Sequence, residues 1–275
     1  MDANRLRSEI IELGPWHHDV QIAPGIRTGE PVPPGTYPSE LGTPTIFEPE
    51  LNIRRLFGDI FPTGLEGRSV LDCACNAGGN LFASKRLGAA RCFGFDVREH
   101  WIRQARFLAR HVPSDDMQFE VRDLATLPDL GLERFDVTLF MGIFYHLPDP
   151  MTGLRIAADL TSELLVINTA MRRVRGVDAL MVNPESQTLP MSGVHGLAWL
   201  PTGDRVLQDI LRWCGFPHTR VDWQMPRRGK SWARLQLLAA REAHTFAHYD
   251  AVHPPGRAAR AKSVIRNVAR MLRRS

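Results

Sequence analysis

The sequence contains few cysteines and no long hydrophobic run. None of the four cysteines belongs to a CxxC pair or to a cysteine–histidine spacing typical of zinc sites. Cys73 and Cys75 are separated by a single residue, too strained a spacing for an ordinary disulfide, so we expect reduced thiols rather than a redox or metal centre. No segment approaches the roughly 20 apolar residues that cross a membrane, and the N-terminus has no apolar core of signal-peptide length. These absences predict a cytoplasmic protein.

Acidic residues are missing from the C-terminal end. Residues 256–275 contain seven Arg or Lys and no Asp or Glu, and removing these seven charges from the formal net charge of +4 leaves −3 for the rest of the chain. Within residues 242–275, apolar side chains recur at helical spacing among arginines, at Val264, Ile265, Val268 and Leu272. This pattern predicts a basic tail helix that lies on an anionic membrane surface, packs on a partner or docks on its own domain.

Regions of different composition follow one another along the chain. Residues 1–50 form an N-terminal arm whose stretch 14–48 is rich in Pro and Gly without any period, which is typical of an ordered lid or a flexible linker. Residues 51–241 alternate apolar runs with helical patterns. This alternation predicts an α/β domain in which a mostly parallel, seven-stranded sheet has helices on both faces. Residues 170–201 are too long for a plain connection after the fifth strand and predict a substrate-side wall.

The apolar runs and the helical patterns can be placed along this domain. The predicted strands are SVLDCAC, RCFGFD, MQFEVRD, FDVTLFMGIF, ELLVINT, HTRVDWQ and SWARLQLLAARE. The predicted helices are ELNIRRLFGDI, NLFASKRLG, EHWIRQARFLARHV, DPMTGLRIAADL and GDRVLQDILRWCGF.

The stretch VLDCACNAGG, residues 70–79, begins as a buried strand and ends in small residues. In an open α/β sheet the ligand lies at the carboxyl ends of the strands, where backbone N–H groups of a tight turn face it. Side chains there must be small because a Cβ blocks close approach. The turn offers Ala74, Asn76, Gly78 and Gly79. A P-loop is excluded because no GK[ST] follows, and a dinucleotide is disfavoured because GxGxxG is absent and Asp72 would repel a pyrophosphate.

Three aspartates follow successive strands of this pattern. Asp72, inside the turn, suits a cofactor that carries a cation or hydroxyl groups. Asp96 ends the next strand, 24 residues downstream, where a carboxylate accepts hydrogen bonds from both hydroxyls of a ribose. Asp123 follows the strand after that, in a position to accept from the exocyclic amine of a purine. Three aspartates after successive strands indicate a cofactor site more specifically than any one of them does. A single aspartate in such a position is more often a solvated loop residue.

Across residues 50–241 the sequence resembles the class I S-adenosylmethionine-dependent methyltransferases, through VLDCACNAGG, GFDVREHWIRQARF, EVRDL and FDVTLFMGIFYHLPDP. The resemblance implies a Rossmann-like fold and S-adenosylmethionine as cofactor. It implies that Asp72 organises the turn near the methionine part, Asp96 holds the ribose and Asp123 holds the adenine amine. The full set of implied cofactor-binding residues is Asp72, Cys73, Ala74, Cys75, Asn76, Gly78, Gly79, Asp96, Val97, Asp123, Leu124, Met141, Gly142 and Tyr145.

The first motif departs from the family pattern. Ala74 and Asn76 stand where the family usually has the first two glycines of GxGxG, whereas Gly78 is retained. This departure keeps a different class of function open, a non-catalytic binding module that has kept the fold.

A narrower resemblance is carried by GPWHH, CNAG, RQARF, FMGIFYHLPDP and the segment from WLPT to CGF. It points to the branch containing tRNA wobble-uridine (carboxy)methyltransferases and their small-molecule relatives. In the carboxymethylating members a Lys before the first motif and a Tyr after the fourth strand bind the extra carboxylate of the cofactor. Tyr145 matches that Tyr, but Asn52 stands at the Lys position, which favours plain S-adenosylmethionine. Arg234 matches a further carboxylate-binding Arg, so both cofactors stay open.

His146 directly follows the fourth predicted strand and is placed to face the methyl group. Methyl transfer is an in-line displacement in which the cofactor supplies the electrophile, and the protein supplies alignment and, for a hydroxyl acceptor, a base. Imidazole titrates near neutrality, so His146 is the candidate base, and a hydrogen bond to its own loop is the alternative. Asp149 is expected to be a turn residue before Pro150.

Further side chains are candidates for the acceptor pocket. They are Trp16, His17 and His18 in the arm, Glu185, His195 and Trp199 in the insertion, and Arg234. Surface or packing use is the competing interpretation for each of them. His244 and His248 lie four residues apart, as helical metal ligands do, but no third ligand is nearby, so we expect no metal site.

Three functions therefore compete. The leading hypothesis is an O-methyltransferase acting on a hydroxyl of a saccharide or another small molecule. The second is a tRNA wobble-uridine (carboxy)methyltransferase, against which the acidic body argues because a tRNA-binding protein needs a broad basic face. The third is the non-catalytic module. We expect a small-molecule or glycan acceptor rather than a nucleic acid, and the sequence leaves the oligomeric state open.

Overall fold

A computed structural model describes residues 2–30, 46–113, 115–187, 191–226 and 232–254. The helices are α1 (Ala3–Leu13), α2 (Pro49–Ile60), α3 (Gly79–Arg86), α4 (Glu99–His111), α5 (Pro150–Asp159), α6 (Asp204–Trp213) and α7 (Ala247–Val252). The strands are β1 (Gln21–Ala23), β2 (Ile26–Arg27), β3 (Ser69–Cys73), β4 (Arg91–Asp96), β5 (Met117–Val121), β6 (Phe135–Met141), β7 (Thr161–Arg172), β8 (Leu180–Pro184), β9 (Leu197–Pro201), β10 (His218–Pro226) and β11 (Trp232–Ala240). Short 3₁₀ helices cover Leu124–Leu130, Phe144–His146 and Ala243–Phe246.

Seven strands form one sheet, in the order β10–β11–β7–β6–β3–β4–β5. The neighbours from β7 to β5 pair in parallel, whereas β11 is antiparallel to both β7 and β10. The fold predicted from the sequence is therefore confirmed, including the number of strands in the sheet. The strand order reverses at β3, with β4 and β5 on one side and β6 and β7 on the other. In sheets of this kind a ligand lies at such a reversal, outside the carboxyl ends of the strands.

Apolar layers cover both faces of the sheet. On one face α2, α3 and α4 contribute the buried rings of Phe57, Phe82 and Phe107. On the other face α5 and α6 contribute Leu154 and Leu211, which are fully buried. Strands enclosed on both faces must be apolar along their whole length, which explains the near-continuous runs seen in the sequence.

Helix α5 begins as the sequence predicts, at the proline after the fourth sheet strand of the chain. Asp149 is its N-cap, and the Asp149 carboxylate accepts from the N–H groups of Met151 (3.1 Å) and Thr152 (3.0 Å). Pro150 occupies the first helical position, where its missing N–H has no cost. The cap keeps Asp149 exposed and away from acid–base chemistry.

The N-terminal arm contains more regular structure than its sequence indicates. Residues 2–30 include α1 and the short β1–β2 ladder, neither of which the sequence predicts. Trp16 is only 3% exposed, donates its indole N–H to the Ile10 carbonyl (2.7 Å) and packs on Phe107. The structure thus places Trp16 in the core, where it anchors the arm, and not at the edge where an acceptor is expected.

The insertion after β7 forms a β-hairpin. Strands β8 and β9 are antiparallel, with Val182 opposite Trp199, and the ladder continues as Glu185 donates its N–H to the Gly196 carbonyl (2.9 Å). Strand β9 packs against the 3₁₀ helix Phe144–His146. The sequence predicts a wall here but no strands, because neither five-residue segment alternates polar and apolar side chains.

Other sequence-based expectations concern cysteines, membranes and metals. All four cysteines are free and buried, and burial raises the pKa of the Cys73 and Cys75 thiols well above its ordinary value. None of the helices within the described ranges is long and apolar enough to cross a membrane. Over the same ranges, no group of three or more His, Cys, Asp or Glu side chains suits a metal ion. Of the predicted tail, residues 242–275, the structure describes residues 242–254, which include the 3₁₀ helix Ala243–Phe246 and α7, and residues 255–275 lie outside the described residues.

Candidate cofactor and acceptor site

The turn after β3 alternates left-handed residues with ordinary ones. Ala74 (φ +57°), Asn76 (φ +51°) and Gly78 (φ +73°) lie in the left-handed region. This conformation costs a residue with a Cβ about 1–2 kcal/mol, so Ala74 and Asn76 are held there by their surroundings. Asn76 accepts with Oδ1 from the N–H of Ala77 (2.7 Å) and donates its own N–H to Asp96 (3.1 Å). The turn therefore forms without the first two glycines of the family motif.

Replacing Gly78 by alanine is expected to destabilise the protein more than the same change at Gly67. Both glycines have φ near +74°, but a Cβ on Gly78 would lie 2.5 Å from a ring carbon of Phe119, whereas nothing lies within 4 Å at Gly67. Urea unfolding should show a loss of about 1–2 kcal/mol for Gly67→Ala and about 1–3 kcal/mol more for Gly78→Ala, since the ring must move. Equal losses would show that the turn is not tightly packed.

Asp96 joins the turn to the next strand. Its Oδ2 accepts from the N–H of Asn76 (3.1 Å) and its Oδ1 from the N–H of Arg98 (3.0 Å). Burial raises the pKa of Asp96, and these hydrogen bonds oppose the shift. Each carboxylate oxygen keeps a lone pair beyond these contacts, so Asp96 can still accept from ribose hydroxyls at the sheet edge.

Asp72 is a buried carboxylate without a cationic neighbour. It is 1% exposed and accepts from Nδ2 of Asn80 (3.3 Å), and in the described part of the chain no Lys, Arg or His forms an ion pair with it. Burial raises its pKa to about 8, and the Asn80 contact opposes this shift. The side-chain oxygen Oδ1 of Asn80 is buried and has no partner among the described residues. A buried acid of this kind fits the cationic part of a cofactor.

The third acid of the series lies after β5. Asp123 is exposed and caps the 3₁₀ helix Leu124–Leu130, accepting from the N–H of Ala125 (2.8 Å). Leu124 beside it is buried, and Val97, which follows Asp96, is 39% exposed. Because β3, β4 and β5 are adjacent and parallel, the three acids lie at one edge of the sheet in the predicted order. Their contacts with a cofactor remain predictions.

The arm lies directly on the turn. His18 is 5% exposed, and its Nδ1 accepts from the N–H of Gly79, the first residue of α3 (3.1 Å). Burial, together with neighbouring His17, lowers the pKa of His18 well below its ordinary value, so the ring is neutral and able to accept. A Cβ on Gly79 would lie 2.5 Å from Pro49 and 2.9 Å from His18. His18 thus lies at the cofactor turn and not in the acceptor pocket, and His17 packs against His18 and Phe47.

Tyr145 and Arg234, which match the carboxylate-binding residues of the narrower resemblance, are in contact. Arg234 donates to the Tyr145 hydroxyl (3.4 Å) and twice to the side-chain oxygen of Asn168 (2.6 and 3.1 Å). Asn168 is itself held by Gln236 (3.0 Å). Because Asn168 is neutral, it positions the guanidinium without cancelling its charge. Asn52 is buried on α2, and its Nδ2 has no partner among the described residues.

His146 forms its principal contact with Glu185 from the insertion. Nδ1 of His146 lies 2.8 Å from Oε2 of Glu185, and the same oxygen accepts from the N–H of Gly193 (3.1 Å). Burial lowers the pKa of His146 and Glu185 opposes this shift. The charges of Arg234 and Arg98 lower the pKa further. His146 is therefore neutral at pH 7, as a proton acceptor must be.

The remaining candidates lie on the insertion and at the end of β6. His195 is exposed at the end of the insertion loop. Trp199 is half-buried on β9, and its indole N–H has no partner among the described residues. Met141 ends β6, and Gly142, with φ +84°, donates its N–H to the Asn168 carbonyl (2.7 Å).

Sequence reasoning missed the residues that assemble the site from distant segments. Asn80 follows the turn and contacts Asp72, Asn168 holds Arg234, and Gly193 and Arg98 hold the insertion loop. Of these residues, only Asn80 could have been recognised in the sequence, because a polar residue in the first turn of a buried helix is unusual.

A family model described as "Methyltransferase domain" matches residues 65–178. A tRNA U34 carboxymethyltransferase of Campylobacter hominis is 31% identical over 151 residues, which cover 54% of this chain and 50% of that protein. One from Cellvibrio japonicus is 30% identical over 192 residues, covering 63% and 54%. The chain thus spans about half the length of these curated relatives.

Solved structures share the fold. The N-terminal domain of EvdMO1, crystallised in the presence of SAH and D-fucose, has a TM-score of 0.68 and 20% identity, covering 88% of this chain and 98% of that one. Magnesium protoporphyrin IX methyltransferase (ChlM) from Synechocystis, with bound SAM, has a TM-score of 0.50 and 17% identity, covering 70% and 79%. At these identities the likeness concerns the fold alone.

Proposed function

We propose that the chain is an S-adenosylmethionine-dependent enzyme that alkylates an acceptor hydroxyl, because residues 65–178 match a methyltransferase-domain family model and the chain has the class I fold. S-adenosylmethionine is the cofactor of this family, and it supplies an electrophilic carbon on a sulfonium sulfur. The residues of the chain then have to hold the cofactor, align the acceptor and accept its proton.

The turn and the three acids are suited to hold this cofactor. The left-handed turn from Ala74 to Gly78 leaves its backbone close to the sheet edge, where a Cβ in place of Gly78 would collide with Phe119. Asp72 provides a buried carboxyl group that ionises when a cationic group binds beside it, and Asp96 provides acceptors for hydroxyl groups. Calorimetric titration with S-adenosylmethionine tests this step, and the absence of binding to folded protein would leave only a non-catalytic role for the fold.

His146 is the proposed base, and its geometry carries the proposal. The residue follows β6 at the same edge of the sheet as the turn, it is half-buried, and burial keeps it neutral. Its Nδ1 is engaged by Glu185, so Nε2 is left for the acceptor. A neutral imidazole can take the hydroxyl proton as the bond to carbon forms, and a proton acceptor of this kind typically contributes about 10²- to 10⁴-fold in rate.

The names of the curated relatives support a wobble uridine of tRNA as the acceptor more than they support a saccharide. The Tyr145–Arg234 pair adds to this support. Among the described residues the Arg234 guanidinium donates to a neutral amide and a hydroxyl and forms no ion pair, so its charge suits the extra carboxylate of a carboxylated cofactor. Asn52 offers no charge to such a carboxylate.

A hydroxyl of a saccharide or of another small molecule is the second candidate acceptor. It is favoured by the net charge of −3 on the chain without residues 256–275, because binding to tRNA draws on a broad basic surface. Strand β9 of the insertion also packs against the 3₁₀ helix that contains His146, as expected for the wall of a small-molecule site.

The two acceptors can be separated in one experiment. The full-length protein is incubated with cofactor labelled on the transferred carbon, and with either bulk tRNA or a saccharide extract as acceptor. Label in tRNA that disappears after ribonuclease treatment supports the first acceptor, and ribonuclease-resistant label in the saccharide fraction supports the second. A parallel titration with S-adenosylmethionine and its carboxylated analogue shows which cofactor binds more tightly.

A further inference from the structure

Glu185 and Gly193 form a short chain of hydrogen bonds to Nδ1 of His146. Glu185 Oε2 lies 2.8 Å from Nδ1 of His146 and accepts from the N–H of Gly193 (3.1 Å). The side chains of His146 and Glu185 are 15% and 16% exposed, so the pair is largely shielded from water. A hydrogen bond to a carboxylate gains strength in such surroundings.

Gly193 allows this arrangement because it has no side chain. A Cβ on Gly193 would lie 2.8 Å from Oε2 of Glu185 and 3.0 Å from Nδ1 of His146. Any larger residue would push the insertion loop away from the pair.

The chemistry of the carboxylate decides which ring nitrogen carries the proton. Ionised glutamate has acceptors only, so Nδ1 of His146 must donate and the neutral ring must have its hydrogen there. Nε2 then presents its lone pair. The other tautomer would offer a hydrogen to the acceptor hydroxyl and could not remove its proton.

We propose that Glu185 is a positioning residue that holds His146 as the Nδ1–H tautomer with Nε2 directed at the acceptor. The inference rests on the proposed function, in which His146 is the base. Glu185 thereby acts through His146 and does not line the pocket as an acceptor-binding residue.

Arg98 ties this pair to the cofactor side of the site. Its guanidinium donates through Nη2 to the Ser192 carbonyl, next to Gly193, while its backbone N–H donates to Oδ1 of Asp96. The loop that fixes Glu185 is therefore anchored beside the carboxylate expected to hold the ribose. The acceptor side and the cofactor side are assembled together through one arginine.

The charged and titratable groups that face His146 are Glu185, Arg234 and Arg98, and the ring of Tyr145 lies 3.9 Å away between centroids, tilted by 42°. Glu185 raises the pKa of His146, whereas the two arginines lower it. Removing the carboxylate should therefore lower the pKa of His146, and removing the Arg98 charge should raise it.

The test is a nitrogen-15 NMR titration of the full-length protein with labelled histidines, in which a His146→Gln variant assigns the signal. In the wild type we expect a single neutral tautomer with hydrogen on Nδ1. In Glu185→Gln we expect both tautomers and a lower pKa, because the amide can donate as well as accept. Arg98→Met should raise the pKa, and so supplies a second measurement if Glu185→Gln fails to fold. Wild-type protein with hydrogen on Nε2, or a Glu185→Gln variant with unchanged tautomer and pKa, would overturn the inference.

Turnover with the acceptor identified above separates this inference from the proposed function. We expect Glu185→Gln to lower kcat about 10- to 100-fold, with cofactor affinity unchanged and the acidic limb of the pH profile moved to lower pH. Full activity in a variant without His146 would refute the base itself. Loss of activity without His146, together with full activity and an unmoved acidic limb in Glu185→Gln, would refute only the positioning role.

Discussion

Replacing His146 by alanine is expected to lower the transfer rate about 10²- to 10⁴-fold while cofactor affinity stays nearly unchanged. The imidazole lies on the loop after β6, whereas the cofactor turn and its acids belong to β3, β4 and β5. The variant therefore removes the proton acceptor and leaves the turn and its three acids in place. The measurements are the single-turnover rate at saturating acceptor and the cofactor Kd by calorimetry.

The role of His146 as the base also predicts how the transfer rate depends on pH. The base must be neutral to work, so the rate should fall as the pH drops through the pKa of His146. Burial lowers that pKa, which places the acidic limb below the ordinary histidine value of about 6.5. The residual activity of the variant should lack this limb.

His195→Ala is the matched control for this change. His195 belongs to the same insertion loop but is exposed, so its removal should leave both the rate and the acidic limb as they are. A variant without His146 that retains wild-type turnover would remove His146 as the base. Equal losses in the two variants would point to disturbance of the loop instead.

The fold could be predicted from local patterns because its strands are buried on both faces. Runs such as FDVTLFM and ELLVINT consist mostly of apolar residues on both strand faces, and β6 and β7 form at these positions. The hairpin β8–β9 was missed because neither LMVNP nor LAWLP alternates polar and apolar side chains. Helix α1 was missed because only Leu6 and Ile10 are buried in it.

The cofactor side could be predicted more fully than the acceptor side for a similar reason. Asp72 and Asp96 lie at the carboxyl ends of β3 and β4, and parallel strands bring these ends to one edge, so order along the chain becomes proximity in space. The contact between His146 and Glu185 joins residues 39 positions apart, one of them on an irregular loop. No periodic pattern links such positions, so Glu185 could be named only as a pocket candidate.

Replacing Asp72 by asparagine is expected to stabilise the free protein at neutral and alkaline pH while weakening cofactor binding. The asparagine keeps a side-chain oxygen that accepts from Nδ2 of Asn80. Its amide group can also donate to Oδ1 of Asn80, which has no partner among the described residues. The change also removes a charge that is costly to bury. The cofactor, in contrast, loses the carboxylate at the end of β3 that ionises when the cofactor binds, which should cost about 10- to 100-fold in affinity.

The pH dependence of this effect follows from the pKa of Asp72, which burial raises to about 8. Below pH about 4 the carboxyl is protonated in the folded and unfolded states alike, so it contributes no pH dependence there. Between pH 4 and 8 unfolding releases the proton, so the stability of the wild type falls as the pH rises. The advantage of the variant should therefore grow over this window and level off above pH 8.

Urea unfolding at pH 5, 7 and 9 and calorimetric titration with S-adenosylmethionine measure the two effects. Wild-type protein should release a proton on binding at pH 7, because a cationic cofactor favours the ionised carboxylate, and Asp72→Asn should release none. Asp149→Asn is the control, since asparagine caps a helix about as well as aspartate and both measurements should change little. A variant that is less stable than the wild type at pH 9, or that binds the cofactor equally well, would mean that Asp72 is a structural acid and not the cation site of the turn.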